Sequence, residues 1–255
     1  MEATASAVVT LRGVSVRFGA NRALEGIDLE LHRGERVALA GPSGAGKTTL
    51  LELLNGSLSP TTGTVEVLGQ DLAQLRPREL RRVQSRVGTV HQQFDLVGPL
   101  RVVHNVNAGR LPAWSLAKAV WSLVSPQETA GAEAALGRVG IAEKLYERTD
   151  RLSGGQQQRV AVARALVQEP EILLADEPIA SLDPGRSLEV MDLLRRLNEE
   201  SGMTVVVSLH ALEYARSHCQ RIVGMREGRI VFDEPPPAVT GAMVAALYRI
   251  DEAEV

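Results

Sequence analysis

Three separated stretches of this chain carry residue types suited to handling a phosphoanhydride. GPSGAGKT (residues 41–48) matches G-x-x-x-x-G-K-[ST]. It follows the apolar run ERVALA and precedes TTLLELL, the strand–loop–helix setting in which backbone N–H groups can cradle phosphate. Gly41, Gly44 and Gly46 leave those N–H groups unshielded. Lys47 is assigned to the β- and γ-phosphates of ATP, and the Thr48 hydroxyl to Mg²⁺. Pro42, Ser43, Ala45 and Thr49 complete the ATP-contacting stretch. In ILLADEP, Asp176 leaves the carboxyl end of a short apolar strand, where open α/β sheets bind ligands; it is assigned to Mg²⁺ through water. Glu177 is then free to polarise an attacking water, and Lys47, Glu177 and His210 form the catalytic set. His210 ends the apolar run TVVVSLH, placed to contact a γ-phosphate or support that water.

RLSGGQQQRVAVARAL (residues 151–166) raises a different question. Ser153 is a good N-cap, and Ser153 with Gln156 has capping-box spacing. That explains a helix start but not Gly154 and Gly155 in its first turn, where each glycine costs roughly 0.5–1 kcal/mol against alanine. Bare backbone there suits close approach of a phosphate to a helix N-terminus. A γ-phosphate held by Lys47, Mg²⁺ and the glycine-rich loop has an opposite side left to cover.

This ordered set resembles that of ABC-transporter ATPase subunits, and the match extends over essentially the whole chain. The resemblance implies that Phe18, in VRFG, stacks on adenine. It implies that Gln92, in VHQQFDLV, links Mg²⁺ to a transmembrane partner, that Ser181 to Asp183 form the D-loop, and that His210 is the switch histidine. It further implies that two copies pair head-to-tail, so that Ser153, Gly154, Gly155, Gln156 and Asp183 meet ATP bound on the other copy. Three stretches, QQFDLVGPLRVVHNV, GRLPAWSLAKAVWSLVSPQE and SLHALEYARSHCQRIVGMREGRIVFD, are similar to import ATPases of phosphonate uptake systems. The expected cargo is phosphonate or a related phosphorus oxyanion. The expected partners are two transmembrane permease subunits and an extracytoplasmic substrate-binding protein, with the chain at the cytoplasmic face of the membrane. His91, where an aromatic is usual, and Glu234, where a glycine is common, depart from the pattern.

The elements that must position these groups follow from periodicity. VVTLRGVSVRF and LEGIDLEL alternate as half-buried antiparallel strands. TTLLELLNGSL reads as a buried helix through Leu50, Leu51, Leu53 and Leu54, TGTVEVLG as a strand, PRELRRVQ as a helix with Pro77 in its first turn, and RVGTVH as a strand. Residues 94–168 read as mostly helical, with Gly98, Pro99, Gly109, Pro112, Pro126 and Gly131 as punctuation. PGRSLEVMDLLRRLNEESG reads as an amphipathic helix whose apolar face is Leu188, Met191, Leu194 and Leu197, stopped by Gly202. MTVVVSLH reads as a buried strand and CQRIVGMREGRIVF as a hairpin turning at Glu227 and Gly228. A loop and a short helix follow.

Strands alternating with helices predict an α/β fold. It has a P-loop NTPase core with a mostly parallel sheet, an N-terminal antiparallel β subdomain and an inserted α-helical subdomain. One ATPase domain spans residues 1–255. Within it, 1–93 and 167–233 form the catalytic core with the β subdomain, 94–166 the helical signature subdomain, and 234–255 the closing loop and helix. No appended regulatory domain is expected after Pro237.

Composition excludes several classes. At 255 residues and a net charge of −3, nothing argues for nucleic acid as a partner. The single cysteine, Cys219, allows no intrachain disulfide and reads as a small buried hydrophobe. The N-terminal stretch has no signal-peptide pattern, and no apolar run reaches the ~18 residues of a membrane span. His32, His91, His104 and His218 read as structural or surface residues. A chromosome-maintenance ATPase would need sustained heptads between the motifs, and a regulatory GTPase an N-K-x-D motif; neither is present. A transporter ATPase for amino acids or lipoproteins stands as the alternative cargo class.

Overall fold

The computed structural model describes residues 6–124, 127–180 and 182–248. Two sheets carry the architecture. The first is antiparallel in the order β2-β1-β4-β5, built from β1 (Ala7–Phe18), β2 (Asn21–His32), β4 (Thr62–Val67) and the short β5 (Gln70–Asp71). The second has the order β10-β9-β3-β8-β7-β6, from β3 (Arg36–Ala40), β6 (Val87–Val90), β7 (Ile172–Ala175), β8 (Thr204–Leu209), β9 (Arg221–Arg226) and β10 (Arg229–Glu234). From β9 to β6 every neighbouring pair is parallel; β10 alone runs antiparallel, returning from β9 through Glu227 and Gly228, both left-handed.

Strand alternation divides the interior into two cores. Val37, Leu39, Ile172, Leu174 and Val206 face the antiparallel sheet and α1 (Lys47–Leu54). Ala38, Ala40, Leu173, Ala175, Val205 and Val207 face the helices on the other side. A sheet buried on both faces needs near-continuous apolar strands, which is why ILLA and TVVVSL are buried throughout. Among the described residues six helices contribute to that second core: α3 (Val102–Asn107), α5 (Thr129–Arg138), α6 (Gly154–Leu166), α7 (Pro184–Ser201), α8 (Leu212–His218) and the closing α9 (Gly241–Tyr248). The remaining helices are α2 (Pro77–Gln84) and α4 (Leu116–Val124).

The helical stretch between β6 and β7 and the antiparallel N-terminal strands are as expected, with three differences of detail. Leu188 is 47 % exposed, and the buried face of α7 runs through Val190, Met191, Leu193, Leu194 and Leu197 instead. A strict spacing of three drifts off a face that repeats every 3.6 residues. Gly131 does not interrupt the chain but lies inside α5, where a Cβ would meet the Arg110 guanidinium at 2.5 Å. Helix α8 was not anticipated: only Ala215 and His218 are buried in it, too few to show a period.

Cys219 sits in the helix-side core at 9 % exposure, and burial pushes its thiol up to about 12. It is therefore protonated at neutral pH and shielded. Alkylation of native protein by iodoacetamide is expected to be at least ~100-fold slower than in denaturant, as read by intact mass.

Candidate nucleotide-binding and hydrolytic site

The parallel strands β3, β6, β7 and β8 end within two residues of one another: Ala38, Val207, Ala175 and Val90 share one height, and β3 and β8 run two residues further. Ala40 pairs with Leu209, Ala175 with Val207, and Val90 with Ala175. Everything that leaves the sheet just past these pairs emerges at one edge: the glycine-rich loop after β3, Asp176 and Glu177 after β7, His210 after β8, and Gln92 after β6.

In the loop, glycine is required by contact. A Cβ on Gly41 would lie 2.1 Å from the Met225 carbonyl oxygen. Gly46, left-handed at φ 98°, would meet the Ala23 carbonyl oxygen at 2.7 Å. Gly46 caps α1 without a side chain, so the first helical N–H groups are left for an anion. Lys47 is 4 % exposed, and its Nζ donates to the Gly41 and Pro42 carbonyl oxygens at 2.8 and 2.9 Å. Burial lowers its pKa, while Glu177 and Asp176 oppose that shift. Phe18, 51 % exposed at the tip of the β1–β2 hairpin, lines one cleft of about 310 Å³ with Ser43, Gly44, Ala45, Gly46, Lys47, Thr48, Thr49 and Glu177.

The two carboxylates are held by a residue the sequence reading passed over. Ser208 Oγ donates to Asp176 Oδ1 at 2.6 Å and accepts from the Glu177 N–H at 2.7 Å. Its signal was available: a fully buried hydroxyl inside an apolar strand needs partners. His210 Nε2 lies 2.5 Å from Glu177 Oε1, and the Tyr248 hydroxyl, from α9, donates to the His210 carbonyl at 2.7 Å. Glu177 is left-handed at φ 46° although proline follows it, a position normally extended. Tyr248 carried no pattern in the sequence, because its role depends on where the chain returns.

For Mg²⁺, the donor chemistry fits. Thr48 supplies a hydroxyl and Asp176 a carboxylate. Among the described residues no cluster of three or more His, Cys, Asp or Glu could hold a metal. A protein hydroxyl and carboxylate completed by water and phosphate oxygens is the kind of set this ion takes. Gln92 is exposed and does not line the cleft. The turn just after it is clamped to α6: Arg164 Nη1 and Nη2 donate to the Asp95 and Phe94 carbonyls, both at 2.7 Å, across two successive left-handed residues.

The structure does not bring the glycine pair of α6 to this cleft. Ser153, Gly155 and Gln156 line a separate cleft of about 200 Å³. The capping box forms as expected: Ser153 Oγ accepts from the Gln156 N–H, and the Ser153 N–H donates to Gln156 Oε1. A Cβ on Gly154 or Gly155 would meet nothing within 4 Å. Asp183 caps α7 by accepting from the Arg186 N–H, and Ser181 lies outside the described residues.

A nucleotide-sized cleft walled by a glycine-rich loop and a buried lysine, with two serine-bridged carboxylates at the strand ends, is the site of a P-loop ATPase. The chain belongs to the ABC transporter family, whose family model matches residues 24–180. It is 52 % identical over 240 residues to the phosphonates import ATP-binding protein PhnC of Anaeromyxobacter dehalogenans, covering 94 % of this chain and 48 % of that one. The chain thus spans about half the length of that relative. It is 45 % identical over 251 residues to PhnC of Rhodopseudomonas palustris strain BisB5, covering 97 % of this chain and 92 % of that one. Among solved structures it is similar to the dimeric bacterial ABC transporter cassette MJ0796, with 33 % identity and a TM-score of 0.74 over 89 % of this chain and 98 % of that one. It is also similar to cbiO1 of Clostridium perfringens, part of the cbiONQ ABC transporter complex, with 28 % identity and a TM-score of 0.78 over 90 % and 89 % of the two chains.

Replacing Ser208 by alanine leaves Asp176 and the Glu177 N–H short of a partner. The expected cost is about 1–3 kcal/mol of stability by denaturant melting. ATP turnover should fall about tenfold while nucleotide affinity at the loop is kept, as read by steady-state kinetics and a fluorescent nucleotide.

Proposed function

We propose that this chain is the ATP-hydrolysing subunit of a membrane importer and that it works as a head-to-tail pair of copies. The observation that carries the pairing is the open space around Gly154 and Gly155. Among the described residues nothing requires glycine there, and a capped helix start without them would be more stable. The glycines are therefore kept for a group from outside the chain, and a phosphate on the loop of a second copy suits a bare helix N-terminus.

In this reading the loop residues Gly41 to Thr49 hold the phosphates and Phe18 stacks on the base. Lys47 fixes the β- and γ-phosphates. Thr48 and Asp176, with Gln92 once turned into the cleft, would hold Mg²⁺, which would neutralise charge on the phosphoanhydride. Glu177 accepts a proton from the attacking water, and His210 orients the carboxylate at its Oε1. Water adds to the γ-phosphorus, the bond to the bridging oxygen breaks, and ADP and phosphate leave. Ser153, Gly154, Gly155, Gln156 and Asp183 close the second copy over the same phosphate. ATP binds the closed pair better than the open one, so binding and hydrolysis move the permease through a population shift.

The partners are two transmembrane permease subunits and an extracytoplasmic binding protein, not nucleic acid. Among the described residues no helix is long and apolar enough to cross a membrane, so the chain reaches the cytoplasmic face through those subunits. The cargo, phosphonate or a related phosphorus oxyanion, is carried over from the printed names of the relatives.

Glu177→Gln is expected to bind Mg-ATP, lose turnover and accumulate as a dimer by light scattering; a monomer under those conditions defeats the pairing. Ser153→Arg is expected to cut hydrolysis and spare nucleotide binding to the loop, whereas equal loss of both makes the stretch merely structural. Methylphosphonate or phosphite uptake should depend on this chain in a deletion strain. Uptake that is indifferent to it on every phosphorus oxyanion overturns the cargo and leaves the ATPase standing.

A further inference from the structure

We propose that Gln158 is a positioning residue that ties the signature helix to the catalytic carboxylate of its own chain, so that the two ATP sites of the pair act together. The inference rests on the ATPase reading above and extends it. Gln158 lies one turn inside α6, is 1 % exposed, and donates from Nε2 to the Pro178 carbonyl oxygen at 2.5 Å. Its Oε1 is buried and has no partner among the described residues. A half-satisfied buried amide is unfavourable where an apolar side chain of the same length would do, so packing alone does not account for it.

What Gln158 grips is the residue after Glu177. The left-handed Glu177 ahead of a proline is sparsely populated and persists only because its surroundings over-determine it. Those surroundings can be named. Ser208 accepts from the Glu177 N–H, the Ala180 N–H closes a turn on the Glu177 carbonyl at 3.2 Å, and Gln158 holds the next carbonyl. Of these, Gln158 alone belongs to α6. It also lines the same cleft as Ser153 and Gly155 at the helix start. A displacement of α6 therefore reaches the Pro178 carbonyl through the Gln158 amide. In the pair, the start of α6 meets ATP held by the partner, while Glu177 serves ATP held by its own loop. Occupancy of one site thus sets the carboxylate of the other.

The test uses the full chain and the variant Gln158→Met, which keeps length and apolar volume but removes the donor. The wild type is expected to hydrolyse ATP with a Hill coefficient above about 1.5. Gln158→Met should keep nucleotide affinity and the dimer trapped in the Glu177→Gln background within about twofold, lose about tenfold in kcat, and drop to a Hill coefficient of about 1. Gln158→Asn, which draws the amide back by one methylene, should show both losses even if the methionine variant folds poorly. A merely structural role lowers the melting temperature and leaves the Hill coefficient and the kcat per folded molecule at wild-type values; that result overturns the inference. Absence of an ATP-dependent dimer in the Glu177→Gln chain defeats the ATPase pairing itself, which separates the two failures.

Discussion

The structure depends on the register of its parallel strands. Because Ala38, Val207, Ala175 and Val90 share one height and the four strands all end within two residues of it, four loops leave the sheet side by side, and residues far apart in sequence become neighbours. The ladder fixes spacing that no loop could hold alone. One step past the Ala175–Val207 pair, the hydroxyl of Ser208 meets the carboxylate of Asp176 and the N–H of Glu177. That polar knot is affordable in an otherwise apolar layer because every member of it has a partner.

Rigidity and strain meet at the same place. Glu177 is left-handed before a proline, contacts His210, and is followed by a carbonyl held from α6. The backbone of His210 is in turn held by Tyr248, near the end of the described chain. A catalytic-type carboxylate is thereby supported from β7, β8, α6 and α9 at once. The turn after Gln92 is held through its backbone by Arg164 and through Phe94 and Leu96 packed on the core, while Gln92 itself is exposed.

What was legible in the sequence follows from how local each signal is. The glycine-rich loop, the capping box of α6 and the left-handed Gly202 stop after α7 are set by adjacent residues, and all three form as read. The strands of both sheets except the two-residue β5 were legible because burial on one or two faces imposes a period. Ser208 carried a usable sign, a hydroxyl in an apolar strand, that attention to His210 obscured. Tyr248, Gln158 and Arg164 were not legible, because each acts on a carbonyl 20 or more positions away and any neighbouring residue type would have given the same local pattern. Leu188 and Gly131 were misplaced for a simpler reason: spacing locates a helix face only to within a residue, and a glycine that makes room for Arg110 looks like one that ends a helix.

Lys47 has a consequence of another kind. An ammonium has three hydrogens, and two of those on Nζ are committed to the Gly41 and Pro42 carbonyls. Two legs of a tripod fix the direction of the third. The long, flexible stem that ordinarily gives a lysine about 2 kcal/mol of rotamer freedom is already immobilised by the loop's own backbone. A phosphate that reaches this ammonium does not have to order it. The loop thus works as a mould for its own side chain, and the disorder surrendered at nucleotide binding belongs mostly to the nucleotide.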